Sequence, residues 1–293
     1  MTNALLISAI ILLYTLQSFL CRKYTDHYPG KAHMASPVFT AVSGATVVAV
    51  CFAVSGFSFK AGGLTVLLGF ANALALLGYN YFIVKASQTG AHSVMMVFSI
   101  TGCITVSALT AHFAFGDKLS VFKILALLGV FLSVYLISHR EGERISTHRA
   151  FLPACIGLGL CNGAYNALLD VQQRLSGTEE KEELVAITYG VAIAVSLLQM
   201  LLREKKELPR AFLQSKRSLC FLLLCSFITA FAINVLVYVL PLVDVTLLYT
   251  FQNAGVMLLS VLASCVFLKE RLSPTNMVGG VLMCGCLVIV SLF

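Results

Sequence analysis

Strongly apolar, uncharged stretches about twenty residues long alternate along the chain with short clusters of charged residues. A helix of about 20 apolar residues is long enough to cross the hydrocarbon core of a membrane. Continuous apolar runs such as residues 219–243 lack the two-residue alternation of a membrane β-barrel strand, so helices are predicted instead. The predicted spans are ten: residues 3–21, 34–54, 62–84, 91–114, 124–138, 150–169, 184–202, 219–240, 245–268 and 275–293.

The composition excludes an ordinary soluble domain. Of the 293 residues, 59% are hydrophobic and 11% are charged, and the mean hydropathy is +0.91. A soluble protein has about a quarter of its residues charged. We therefore predict an all-α integral membrane protein with ten transmembrane helices.

The basic residues explain the net charge of +7 and predict an orientation. Lys and Arg lie in the loops between spans and form no patch interleaved with aromatic residues, so no nucleic-acid partner is expected. Fifteen of the 20 basic residues fall in loops after odd-numbered spans. By the positive-inside rule these loops are expected to be cytoplasmic and both termini extracellular. The absence of long loops and targeting tails is consistent with a bacterial inner membrane.

The ten cysteines lie within or at the ends of apolar stretches and form no C-x-x-C motif. They are interpreted as small hydrophobic residues, and no metal or cofactor is expected.

The chain divides near its middle into two sets of five spans. At an offset of 153 residues, Asp117-Lys118-Leu119-Ser120 aligns with Glu270-Arg271-Leu272-Ser273. Because five is odd, two such repeats would insert in opposite directions, which is typical of secondary transporters. Residues 1–140 and 150–293 are thus predicted to form two inverted five-helix repeats. The acids of these junctions, and Asp244, are interpreted as helix caps.

Polar side chains within spans are energetically costly and tend to face a cavity or another helix. Asn162, Tyr165 and Asn166 share one helical face. Of the neighbours Gln252 and Asn253, at most one is expected to face a cavity, and Gln252 is preferred. The candidate substrate-binding residues are Tyr14, Gln17, Asn72, Asn80, Ser99, Asn162, Tyr165, Asn166, Asn234, Tyr249 and Gln252. The alternative role for this set is hydrogen bonding between helices.

The ten spans, the two junction motifs and the glycines that follow them (Gly129; Gly279, Gly280, Gly285) together resemble the EamA-type branch of the drug/metabolite transporter superfamily. The resemblance implies that spans 1–4 and 6–9 surround a central cavity, with spans 5 and 10 as support. It also implies movement of small metabolites. Family members usually have cytoplasmic termini, the opposite of the charge-based prediction.

These observations favour a secondary transporter that exports a small polar or zwitterionic metabolite, amino-acid-like or nucleoside-like, by alternating access. No acid lies near the middle of a span, which disfavours proton-coupled antiport of cations. The alternatives are a lipid or polyprenyl-phosphate flippase of the same fold and a lipid-modifying membrane enzyme. A lipid-modifying enzyme would need a cluster of acids, histidines or nucleophiles at a shared depth. The sequence shows no such cluster, so no enzyme is expected. The expected partners are the substrate and membrane lipid, and the protein is expected to be a monomer or homodimer.

Overall fold

In the computed structural model, the described residues are 2–54, 59–116, 120–138, 149–176, 180–204, 215–239, 242–243, 245–267 and 273–292. Over these ranges the chain forms helices and no strands, as predicted. The ten helices are α1 (Thr2–His27), α2 (Ala32–Val54), α3 (Gly63–Thr89), α4 (His92–Phe115), α5 (Val121–Ser138), α6 (Phe151–Ser176), α7 (Lys181–Glu204), α8 (Lys216–Val239), α9 (Val245–Phe267) and α10 (Pro274–Leu292).

Seven of these helices, within the described residues, are long and apolar enough to cross a membrane: α1 to α4 and α6 to α8. Helices α5 and α9 contain shorter apolar stretches, Val121–Ser133 and Phe251–Phe267. Large apolar side chains on α5, including Leu128 and Phe131, are more than half exposed, as lipid-facing residues would be. The chain is therefore a multi-pass membrane protein, and length and composition support seven of the ten predicted spans.

The helices extend beyond the uncharged segments from which the spans were predicted. Helix α1 continues past Arg22 to His27, and α3 continues past Lys85 to Thr89. Charged residues near a helix end can reach the polar headgroups while the backbone stays helical. The uncharged stretches therefore define the hydrocarbon-crossing part of each helix and underestimate its full length.

Two serines of the junction motifs start their helices. The backbone N–H of Lys123 donates to Ser120 Oγ (3.2 Å) at the start of α5. At α10, Asn276 N donates to Ser273 Oγ (3.3 Å), while Ser273 N donates to Asn276 Oδ1 (2.9 Å). This reciprocal pair satisfies two backbone donors at the helix start. The acids Asp117, Glu270 and Asp244 lie outside the described residues, so their role as caps stays a prediction.

The helices of the two halves interleave. If each of the first five helices is replaced by the helix five places later, and the reverse, the α1–α8 contact becomes the α3–α6 contact. In the same way, α1–α9 becomes α4–α6, and α2–α8 becomes α3–α7. The contacts α2–α7, α4–α9 and α5–α10 map onto themselves. Each half thus packs mainly against the other. The insertion of the halves in opposite directions, and their boundaries, stay predictions.

One end of the bundle is closed by a cluster of buried side chains, which we call the packed end. It lies where α1 and α3 end and α2 and α6 begin, and includes Cys21, Tyr24, Met34, Ile83 and Phe151. The hydroxyl of Tyr24 donates to the carbonyl of Ala35 (2.9 Å), which fastens α1 to α2. At the same end, the Arg22 guanidinium donates to the carbonyls of Ser87 and Gly90 and so fastens α1 to the end of α3.

Candidate functional site

A cavity lies between the two halves, beyond the packed end. Its empty volume is about 780 Å³, part of which is open to the outside. Described residues of α1, α3, α4, α6, α7, α8 and α9 form its wall. They are Tyr14, Gln17, Ser18, Leu76, Tyr79, Met96, Ser99, Ile100, Asn162, Tyr165, Asn166, Tyr189, Thr229, Ile233, Gln252, Asn253 and Val256. We call this space the central cavity.

The structure brings seven of the predicted site residues together in this wall: Tyr14, Gln17, Ser99, Asn162, Tyr165, Asn166 and Gln252. They come from four helices and both halves of the chain. None of the described wall residues comes from α2, α5 or α10. Helices α5 and α10 pack against each other outside the cavity, as the family resemblance implies, whereas α2 stands behind α3, α7 and α8.

Three predicted residues lie away from this wall. Asn80 Nδ2 donates to Thr40 Oγ1 (3.0 Å) and joins α3 to α2. Asn234 Nδ2 donates to the carbonyl of Ala230 (2.8 Å) in its own helix. Asn72 is fully buried on α3. The bond of Asn80 fits the alternative role of hydrogen bonding between helices, whereas neither amide atom of Asn72 has a partner among the described residues. The side chain of Tyr249 is outside the described part of the structure.

The polar face of α6 serves both the cavity and the packing of helices. Asn162 Nδ2 donates to the carbonyl of Ser99 (3.0 Å) and to Ser99 Oγ (3.1 Å), across the contact between α6 and α4. Asn166 Nδ2 donates to the backbone carbonyl of Asn162 (2.8 Å) and to its Oδ1 (3.1 Å). Asn162, Asn166 and Ser99 therefore form one hydrogen-bonded network. The same residues line the cavity and bond between helices, so the two roles do not exclude each other.

The expectation that only one of Gln252 and Asn253 faces the cavity is wrong, because both line it. Helix α9 packs against both α1 and α4. Two neighbouring positions of α9 therefore face the cavity. Asn253 Nδ2 contacts Cys103 Sγ on α4 (3.8 Å). Gln252 is 8% exposed, and its Oε1 has no hydrogen-bond partner among the described residues.

Tyr189 of α7 is not among the predicted site residues, yet it completes an aromatic part of the wall with Tyr14, Tyr79 and Tyr165. The hydroxyls of Tyr165 and Tyr189 are hydrogen-bonded to each other. Tyr189 is a polar side chain inside an otherwise apolar span, so the criterion that selected Tyr165 would have selected it as well.

The wall offers amide, hydroxyl and phenol groups, and its described residues carry no charged side chain. Such groups bind neutral polar or zwitterionic solutes through hydrogen bonds. Within the described ranges, no three His, Cys, Asp or Glu side chains are grouped so that they could hold a metal ion.

A second, smaller space, which we call the side chamber, adjoins the central cavity and shares Tyr14, Tyr165 and Ile233 with it; its empty volume of about 420 Å³ is partly open to the outside. Its other lining residues are Leu169, Gln172, Gln173, Lys181, Leu184, Val185, Leu236 and Val237. These lie near the end of α6, the start of α7 and the end of α8, which is the end of the bundle opposite the packed end.

Comparisons with known proteins show the fold and a family resemblance in the second half of the chain. A solved crystal structure matches with a TM-score of 0.65 at 14% sequence identity, over 99% of this chain and 96% of that chain, which shows a shared fold. No curated protein matches the sequence. The sequence model of the EamA-like transporter family matches residues 154–292. This match covers α6 to α10, just under half of the chain, and supports the resemblance found in the sequence: the chain is similar to membrane transporters of the EamA type, within the drug/metabolite transporter superfamily.

Proposed function

We propose that the protein exports a small polar or zwitterionic metabolite, amino-acid-like or nucleoside-like, and binds it in the central cavity. The observation that carries this proposal is the uncharged polar wall with the unpartnered Oε1 of Gln252 in it. A buried acceptor without a partner is unfavourable. A substrate N–H or O–H would satisfy it, and the amides of Asn162 and Asn166 lie in the same wall.

The proposed mechanism is alternating access between two inverted five-helix halves. It is supported by helix contacts that exchange when the halves are swapped and by a cavity lined from both halves. The packed end separates the cavity from the side that carries most of the basic loops. With the charge-based orientation, that side is the cytoplasm of a bacterium, and the state described here corresponds to release of an exported substrate.

Solute counterflow in proteoliposomes tests the proposal. Wild-type protein is preloaded with unlabelled solute and offered labelled amino acids, nucleosides and organic cations in separate assays. We expect uptake of one polar class, reduced at least about tenfold in Gln252→Leu, since removing one interaction worth about 1.4 kcal/mol changes a binding constant tenfold. Asn234→Leu is the matched control, because Asn234 is not part of the cavity wall and bonds to Ala230 in its own helix and to Cys51 Sγ on α2 (3.9 Å).

Full activity in Gln252→Leu, Asn166→Leu and Gln17→Leu would contradict the assignment of the central cavity as the binding site. Absence of uptake for the whole panel by monodisperse wild-type protein would contradict the proposed substrate class.

A flippase for a lipid or polyprenyl phosphate is the second candidate, because Lys181 lines the side chamber and could hold a phosphate. Translocation of a fluorescent phospholipid across the vesicle bilayer, measured by chemical quenching of the outer leaflet, tests it. Translocation that requires Lys181, together with no counterflow of any solute, would favour this candidate over the metabolite transporter.

A further inference from the structure

The side chamber continues from the central cavity toward the end of the bundle opposite the packed end. Tyr14 and Tyr165 belong to the walls of both spaces and so stand at their junction. Gln172 follows Tyr165 by seven residues on α6, which corresponds to about 10 Å along the helix axis. A solute that leaves the central cavity on this side passes the two tyrosines and then meets the side chamber.

Lys181 places a cation beside this path. It is the first residue of α7, is 7% exposed, and lines the chamber next to apolar residues such as Leu184 and Leu236. Within the described part of the chain, no carboxylate forms an ion pair with Lys181. The negative charge of the neighbouring Glu182 offsets part of the positive potential of Lys181.

The other two acids at the start of α7 are engaged elsewhere. Glu180 Oε2 accepts a hydrogen bond from the backbone N–H of Gly62 (3.0 Å). Glu183 Oε1 accepts one from the backbone N–H of Lys60 (3.2 Å). Both carboxylates therefore turn toward the segment that leads into α3, and Lys181 is left as the cationic group in the described wall of the side chamber.

Gln172 is an independent indication of a ligand. Its side chain is 1% exposed and lines the same chamber, yet Nε2 has no hydrogen-bond partner among the described residues. A buried amide donor without an acceptor is unfavourable, and a cation at the wall of a mostly apolar chamber favours a negatively charged neighbour. A negatively charged oxygen group in the chamber would compensate both, because a carboxylate or phosphate accepts hydrogen bonds from several donors at once.

We propose that the side chamber is an anion-binding subsite of the transport path, in which Lys181 and Gln172 hold a carboxylate or phosphate group of the substrate. The inference rests on the proposed function, because it takes the occupant to be the transported molecule. It narrows the substrate to a molecule that carries an anionic group beside the neutral polar part bound in the central cavity.

Reaction of an introduced cysteine with charged thiol reagents tests the subsite without any knowledge of the substrate. Gln173, which lines the chamber, is replaced by Cys in proteoliposomes of phosphatidylcholine. The rates of modification by the anionic ethylsulfonate and the cationic ethyltrimethylammonium methanethiosulfonates are then compared. Protein without the introduced cysteine gives the background from the ten native cysteines.

We expect the anionic reagent to be favoured, and the ratio of anionic to cationic rates to fall about tenfold when Lys181→Met is added, since the loss of one nearby charge acts in opposite directions on the two reagents. Lys181→Arg should preserve the ratio, and Gln172→Leu should slow the anionic reagent alone. An unchanged ratio in Lys181→Met, or no modification of Cys at position 173 by either reagent, would overturn the proposal.

Two further experiments identify the molecule that carries the anionic group. If it belongs to a soluble substrate, Lys181→Gln should reduce counterflow of a carboxylate-bearing solute while leaving that of its carboxamide analogue unchanged. If it belongs to a lipid, phosphatidylglycerol in the vesicles should slow the anionic reagent at position 173. Failure of all counterflow would contradict the proposed metabolite transport, whereas the reagent ratio decides the anion-binding subsite independently.

Discussion

The contact between α4 and α6 and the contact between α1 and α9 exchange when the two halves are swapped, yet they are built differently. Gly102 and Gly255 occupy equivalent positions at the 153-residue offset. A Cβ on Gly102 would overlap the backbone of Gly159, so α4 and α6 touch backbone to backbone. A Cβ on Gly255 would instead lie 2.6 Å from Cδ1 of Ile11, at the tip of a side chain.

The difference indicates which contact can move. Glycines allow helix backbones to approach closely in a membrane, and Asn162 adds hydrogen bonds to Ser99 across the same contact. The α4–α6 contact therefore has only one well-packed arrangement. At the α1–α9 contact, Ile11 fills the space and can change rotamer. We therefore expect α1 and α9 to shift during transport and α4 and α6 to stay together.

The largest effect should come from a side chain placed in the α4–α6 contact. Gly102→Leu must separate two backbones, so we expect loss of a folded, monodisperse protein, beyond the ~1–3 kcal/mol usual for overpacking. Gel filtration and the midpoint of thermal unfolding in detergent measure this. Gly280→Ala is the control, because a Cβ there meets nothing within 4 Å. A Gly102→Leu protein with wild-type unfolding temperature would disprove the close backbone contact.

The equivalent change in the other contact should affect transport more than folding. Gly255→Ala crowds Ile11, whose side chain can move, so we expect a small drop in the unfolding temperature and a several-fold slower counterflow. Adding Ile11→Ala should restore the rate, since the two changes act on one contact and are not additive. Slower counterflow in the double variant than in Gly255→Ala would show that Ile11 is not the obstacle.

A moderate effect is expected from the hydrogen bonds between α6 and α4. Asn162→Leu removes donors to Ser99, and interhelical hydrogen bonds in membranes contribute about 0.6 to 2 kcal/mol. We expect a lower unfolding temperature, and Asn80→Leu, which breaks the α3–α2 hydrogen bond to Thr40, is the comparison within one half. If Asn162→Leu unfolds at the wild-type temperature, these hydrogen bonds do not stabilise the α4–α6 contact.

The smallest effect concerns the start of α7, at the α3–α7 contact. The hydroxyl of Thr65 and the backbone N–H of Gly62 lower the pKa of the exposed Glu180 carboxyl below its ordinary value of 4.5. Because the folded pKa is lowered, this stabilisation is present above pH 4.5 and is lost as the pH falls through the lowered pKa. Glu180→Gln should unfold at a slightly lower temperature at pH 7, and the difference should shrink below pH 4.5. A difference independent of pH would exclude a role for the charge.

The helices were predictable from the sequence because burial in lipid imposes one rule along the whole chain: long apolar segments without charge form helices. The same physics made Tyr14, Gln17, Asn162 and Gln252 recognisable as costly polar residues that must face a cavity or a neighbour. It could not separate these two roles. Asn80 and Asn234 look like Asn162 in sequence, and only the packing of helices determines which side each amide meets.

The asymmetry between the two contacts was also invisible in sequence. Gly102 and Gly255 align at the 153-residue offset, but what each one touches depends on residues far away in the chain, Gly159 and Ile11. The side chamber was missed for a related reason. Gln172 and Lys181 sit at helix ends, where polar residues are common, and the sequence does not show that they face the same space as Tyr14.

A reversible cross-link between α1 and α9 tests most directly the claim that these two helices shift against each other during transport. Ile11→Cys with Gly255→Cys brings two thiols close enough for a disulfide, and Gly129→Cys beside the native Cys286 gives a matched cross-link between α5 and α10. We predict that oxidation abolishes counterflow in the first protein, that reduction restores it, and that the second protein transports in both states. Undiminished counterflow through a fully cross-linked α1–α9 contact would contradict the account.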